Sequence, residues 1–260
     1  MLHGLRFLVL VVGVAAFAVN GPSFAQTAQG YVQEASGDVT GQVGSGRPAS
    51  VSRGQTLVNN ATITTGPGSY AVLKFEDGTA VLLKENTSFQ VQNYTYNAKA
   101  PETANAIFNL IRGGLRMVTG LVTSRNRSAL KVGTPLVTIG VRGTEFVAEL
   151  VNPFYMQVIN GAVALTNAAG TVAFSAGQAA LVPSSSTLPG LIPMSQVPAG
   201  VFQMPNVPIS AAPGPVPSGS VIGGGLGAAG GAGAAALAIG AAVGAAVLMS
   251  SSNSDSTVQH

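Results

Sequence analysis

The chain has 260 residues, no cysteine, and only 8% charged side chains. That composition excludes a disulfide framework and any thiolate metal site. A formal charge of +3 reflects scarce charge and no basic face. Only Arg125, Arg127 and Lys131 come near a cluster, read here as a solvated loop, so a nucleic-acid partner is not expected.

The first 25 residues carry one basic residue, Arg6, then an apolar run from Phe7 to Val19. A polar break at Asn20-Gly21-Pro22 and small residues at Ser23 and Ala25 complete the pattern of a secretory signal peptide over 1–25. Cleavage is expected between Ala25 and Gln26. The apolar run is shorter than the ~20 residues a spanning helix needs. The leader looks bacterial, which places the expected mature protein in the periplasm or cell envelope.

From Gly30 to Pro183 the chain reads as one short strand after another, with glycine at most junctions. Ser69–Phe75 and Thr79–Lys84 flank Asp77-Gly78, a tight-turn signal, because glycine tolerates positive φ. Met156–Ile159 and Ala162–Thr166 flank Asn160-Gly161 in the same way. Further runs lie at Gln55–Ile63, Phe89–Tyr94, Ala106–Ile111, Leu115–Val122, Leu136–Val141 and Thr144–Val151. None sustains helical periodicity over three turns. An all-β domain over 30–183 is expected, as a sandwich, a barrel or a coiled solenoid.

Beyond Pro183 the composition changes. Residues 183–217 hold nine prolines, which bias the backbone toward extended polyproline conformations. This segment, 184–220, reads as a semi-stiff linker, or as an arm packed back on the domain through Leu191, Ile192, Phe202 and Val207. Residues 221–249 carry no charge and are mostly Gly and Ala, with Ala232, Ala236, Gly240 and Gly244 at four-residue spacing. Such a segment suits a membrane-spanning helix, a self-associating helix packed through small residues, or low-complexity chain. The polar tail 250–260 has no Lys or Arg, so it assigns no orientation.

The richest stretch runs from Val132 to Phe146. It sets a Thr134-Pro135 corner, Gly140, Arg142, Gly143, Thr144 and Phe146 among β-type apolar residues. With Arg53-Gly54-Gln55-Thr56-Leu57, Phe75-Glu76-Asp77-Gly78-Thr79, Gly113-Gly114-Leu115-Arg116 and Asn160-Gly161-Ala162-Val163, it resembles the FecR-domain family over roughly 35–183. The resemblance implies a compact, single-strand β-helix-like fold in the cell envelope, used in protein–protein signalling or ligand sensing. In the regulator members a cytoplasmic anti-sigma segment precedes the domain. Here only the expected signal peptide does, so sigma-factor control is not carried over.

Catalytic chemistry is not expected. The only histidine outside the leader is His260, and no His or Cys pair is spaced for zinc. Asp77 reads as a turn residue. Arg142 lies in an apolar context and is expected to fold over or into the domain, tie down carbonyls at strand ends, or pair with Glu145 or another carboxylate; the alternative is that it presents its fork to a partner carboxylate or a glycan. Gly140 and Gly143 are expected at turns or close approaches, and Tyr70, Tyr94, Tyr96, Phe146, Phe154 and Tyr155 in core packing. The function expected is therefore a non-enzymatic envelope sensor or scaffold without cofactor or metal. Its partner would be another envelope protein, and its anchor the 221–249 segment. An oligomerising assembly protein and a glycan- or peptidoglycan-binding module are the alternatives.

Overall fold

The computed structural model describes residues 28–223, all within one compact unit. The expected signal peptide with its Ala25–Gln26 junction, residues 224–249 of the Gly/Ala-rich segment and the tail lie outside the described residues. Among the described residues no helix is long and apolar enough to cross a membrane.

The fold is all-β, a single 15-stranded sheet. Its first part comprises β1 (Gly30–Ser36), β2 (Val39–Val43), β3 (Ala49–Ser50), β4 (Thr56–Leu57), β5 (Ala61–Thr65), β6 (Tyr70–Phe75), β7 (Ala80–Leu83) and β8 (Ser88–Thr95). Then follow β9 (Asn105–Val118), β10 (Leu130–Gly133), β11 (Thr138–Leu150), β12 (Phe154–Asn167), β13 (Gly170–Ser175), β14 (Ala179–Val182) and β15 (Gly190–Ile192). A solenoid stacks its coils in parallel. Here only β9 and β10 pair in parallel, and every other strand pairing is antiparallel. In place of the expected β-helix the structure shows one open, mostly antiparallel sheet with long, kinked central strands and several non-consecutive neighbours.

The expected β6–β7 hairpin forms across Asp77-Gly78. Other glycine junctions behave differently. Asn160-Gly161 does not turn the chain, because β12 runs unbroken through it. Leu136–Val141 and Thr144–Val151 fuse into β11, with the register shifting between Arg142 and Glu145. Likewise, Gly113 at φ 81° joins two expected runs into β9. These are bulges, which kink a strand so that its two halves can serve different neighbours. The first half of β9 pairs with β8 and β10, and its second half with β7 and β11.

One apolar cluster collects the inward side chains of most strands, from Val32 and Phe75 through Phe89, Phe108 and Phe146 to Phe174 and Val182. Phe75, Tyr94, Phe89 and Phe108 stack at its centre, with ring centroids 4.9–6.3 Å apart. Burying each aromatic contributes about 1.5–3 kcal/mol, and the offset contacts add roughly 0.5–1.5 kcal/mol per pair.

The domain does not end at Pro183. β15 extends the sheet to Ile192, and the proline-rich chain from 193 to 222 lies against the β-domain as an arm. Its anchors differ from those expected. Val201 and Ile222 are buried, whereas Leu191 is 61% exposed. Residues 221–223 begin no helix: Val221 bridges Thr56 in parallel, and the Ile222 amide donates to the Thr56 carbonyl.

Candidate functional site

The signature around Thr134 builds itself from local hydrogen bonds. The Thr134 hydroxyl accepts the amides of Leu136 and Val137 at 3.2 and 3.0 Å and donates to the Val137 carbonyl at 2.8 Å. A hydroxyl that bonds its own turn favours this geometry over a continued strand, and Pro135 presets the exposed corner. The corner feeds β11, whose Ile139 and Val141 point into the core.

At the β11 bulge Gly143 takes φ 63° and Gly161, on β12, φ 80°. A Cβ on Gly161 would sit 2.4 Å from the Gly143 carbonyl oxygen, so the two backbones meet where only glycine fits. Thr144 bolts the bulge in place. Its hydroxyl donates to the Ala162 carbonyl (3.0 Å) and accepts the Arg142 amide (3.2 Å), while its own amide donates to the Thr119 hydroxyl (2.7 Å). Phe146 follows as a fully buried core residue. Gly140, expected at a close approach, has ordinary strand space: a Cβ there would come no nearer than 3.7 Å to any atom.

Arg142 is placed otherwise than expected. It is exposed, and among the described residues its guanidinium makes no ion pair or hydrogen bond. Glu145, the expected partner, lies beyond the bulge and pairs with Arg116, whose Nε reaches Oε1 at 2.8 Å. The bulge separates Arg142 from Glu145 by changing which strands flank each of them. Asn160, across the ribbon, is also exposed.

Asp77 does more than turn the chain. It is fully buried. One carboxyl oxygen accepts the Tyr94 hydroxyl (2.7 Å) and the Thr79 amide (3.1 Å), and the other accepts the Thr79 hydroxyl (2.7 Å) and the Val122 amide (2.9 Å). Its own carbonyl accepts the Leu121 amide. Four neutral donors thus replace the water a buried carboxylate loses. Burial, and after it the nearby Asp77 charge, push the Tyr94 phenol far above its ordinary range, so it stays a donor.

Sequence reasoning missed a set of buried ionic hooks. Lys84 pairs with both oxygens of Glu149 (2.8 and 3.0 Å) and also reaches the Gly200 carbonyl in the arm at 3.4 Å. Burial raises the Glu149 carboxyl above its usual range, with Lys84 pulling the other way. Lys74 donates to the Gly78 carbonyl (3.0 Å) and to that of Ser210 in the arm. Burial lowers its pKa, opposed by Asp77. Glu34 accepts the Tyr70 hydroxyl at 2.5 Å. Each lysine closes or follows an apolar strand, the one local signal available, but apart from Gly78 their partners lie 65 to 136 residues away.

Among the described residues, hollows open on the surface at the arm and at the signature corner. One of about 610 Å³ lies between β1 and the arm and includes Arg53, Lys74 and Pro213. Another of about 340 Å³ lies between Lys84 and Met204. A third, about 240 Å³, sits on the signature corner and is lined by Asn109, Leu110, Ile111, Gly133, Thr134 and Pro135. Among the described residues no three His, Cys, Asp or Glu groups lie together as a metal site.

Residues 61–164 match the family model described as FecR protein, a span inside the 35–183 over which the sequence resembles that family. Two crystal structures of a candidate anti-sigma factor from Parabacteroides distasonis ATCC 8503 align at 15% and 14% identity. Each alignment has a TM-score of 0.39 and covers 50% of this chain and 57% of the other. The match thus spans little more than half the length of those proteins. No curated protein matches the chain.

Proposed function

From the match of residues 61–164 to the FecR family model, we propose that this chain is an exported cell-envelope sensor or scaffold that works by contact. The observation that carries the reading is how its buried polar groups are used. Asp77, Lys74, Lys84, Glu149 and Thr144 all spend their hydrogen bonds on holding strands, bulges and arm together. A reaction centre needs convergent groups left available to substrate; here the available groups lie on the open sheet surface instead. The partner is another envelope protein, and the Gly/Ala-rich segment beyond Ile222 holds the domain at a membrane. The proline-rich arm suits this role, because its last described residues, Val221 and Ile222, are tied to Thr56 of the domain.

Site-specific photo-crosslinking from Arg142 and Asn160 in native cells tests the partner, and fractionation tests the anchor. A discrete crosslinked envelope protein, with detergent needed to extract monomeric chain, is the expected outcome. Soluble oligomers that vanish on deleting 224–249 would favour the assembly reading instead.

A further inference from the structure

The outward surface of β8–β13 bears a polar ladder that no role described above uses. Cross-strand register sets Gln90 beside Asn109, Asn109 beside Gly133, Gly133 beside Thr138, Thr138 beside Thr166, and Thr166 beside Thr171. The ladder crosses six strands at the usual spacing of about 4.8 Å. Its members are partly bonded to one another. Asn109 Nδ2 donates to Gln90 and Gln92 at 3.0 Å, and the Thr166 and Thr171 hydroxyls lie 2.9 Å apart. Gly133 gives the row no side chain of its own, and the Asn109 carboxamide leans over it, 2.6 Å from where a Cβ would sit; the 240 Å³ hollow opens alongside, between Asn109, Ile111 and the Thr134-Pro135 corner.

The next rows carry positive charge. Lys131 stands opposite Gly140, and Gly140 opposite Ala164. Arg142, opposite Ala162, lies diagonally from Lys131, about 7–8 Å away by strand geometry. Continuing that register brings Arg142 alongside Ala129, at the end of the loop holding Arg125 and Arg127. All four cations are exposed, and none has an ionic partner among the described residues. No Asp or Glu falls on these rows: Glu145 and Glu149 occupy the half of β11 beyond the bulge.

We propose that this face binds an anionic polysaccharide strand. Hydroxyl and amide side chains offer the mixed donors and acceptors that sugar hydroxyls require. Exposed cations without an ion-pair partner among the described residues attract the carboxylates of uronic or similar acidic sugars. The hollow beside Asn109, with Ile111 and Pro135 in its lining, offers the apolar face of one sugar ring a seat next to the polar row. Single-stranded nucleic acid is disfavoured, because it relies on exposed aromatic platforms and the ladder has none. A protein hot spot would show buried aromatic anchors at its centre, whereas small residues such as Ala162, Ala164 and Ala173 surround the cations. This face shares Arg142 with the surface from which a protein partner is sought above, and binding by purified chain without any other protein reads the polysaccharide alone.

The test uses purified full chain in detergent with polygalacturonate as probe, and dextran, poly(dT) and phosphatidylglycerol vesicles as comparators. The expected result is salt-sensitive binding of polygalacturonate, stronger than to any comparator. Replacing Lys131 and Arg142 by Ala together should weaken it about tenfold, or about 0.7 kcal/mol per exposed charge, with unchanged circular dichroism and melting temperature. Gln90→Ala with Asn109→Ala should weaken it several-fold at high salt, where the charge contribution is screened. Absence of polygalacturonate binding, equal binding to dextran, tighter binding of poly(dT) or vesicles, or wild-type affinity in either double variant would overturn the proposal.

Discussion

Three residues show how far a side chain's surroundings, more than its identity, set its role. Asp77 stands in a turn, as its neighbour Gly78 announces, yet it also ties the turn to Tyr94 and to Val122. Asp77→Ala should strand four donors and cost about 3–5 kcal/mol, read from urea denaturation. Gly140 and Gly161 look alike in sequence. Gly161→Ala must take φ 80° and meet the Gly143 carbonyl, so it should lower stability by more than about 2 kcal/mol, while Gly140→Ala should stay within about 0.5 kcal/mol. A thermal melt of both variants checks the contrast. Glu149 supplies a pH test. Its folded pKa is raised by burial, so its contribution to stability is full below its unfolded pKa and fades as pH rises through the folded value. Denaturation across mildly acidic to neutral pH should show Glu149→Gln flattening that decline.

At the scale of elements, the arm is the feature composition described least well. Nine prolines read as a spacer, and a spacer needs no partners. The structure instead gives the arm an apolar plug, Ile222, and two lysine-to-carbonyl hooks at Gly200 and Ser210. Proline suits this use: an extended segment that already lacks donors loses little on docking, and the Gly200 and Ser210 carbonyls accept a lysine as well as an amide of the arm itself. Ile222→Ala should cost about 2–4 kcal/mol, and pulse proteolysis should then cut the arm well before the domain. The kinked strands are the second lesson. Glycine at positive φ serves a turn and a bulge equally, so Gly78 marked a real hairpin while Gly113, Gly143 and Gly161 marked bends inside long strands. A six-residue window cannot tell them apart, because the difference is whether the chain reverses or finds a new neighbour.

On the scale of the whole molecule, the sheet has two kinds of outer surface. Val72, Leu82 and Val147 point away from the central cluster yet are nearly inaccessible, on the side where Lys84 and Lys74 hold the arm. The ladder side is open and polar. Truncation after Ile192 should therefore expose an apolar stripe and raise dye binding and aggregation, whereas changes at Lys131 or Arg142 should leave the melt alone. By itself the sequence determined the all-β character, the reliance on burial without disulfides, the β6–β7 turn and the FecR resemblance, because each rests on neighbouring residues and their backbone preferences. Only the tertiary structure decided that pairing is antiparallel, that Arg142 is exposed while Glu145 serves Arg116, and that the proline-rich chain belongs to the fold. Those outcomes depend on contacts between residues dozens of positions apart, which periodicity and turn chemistry do not encode.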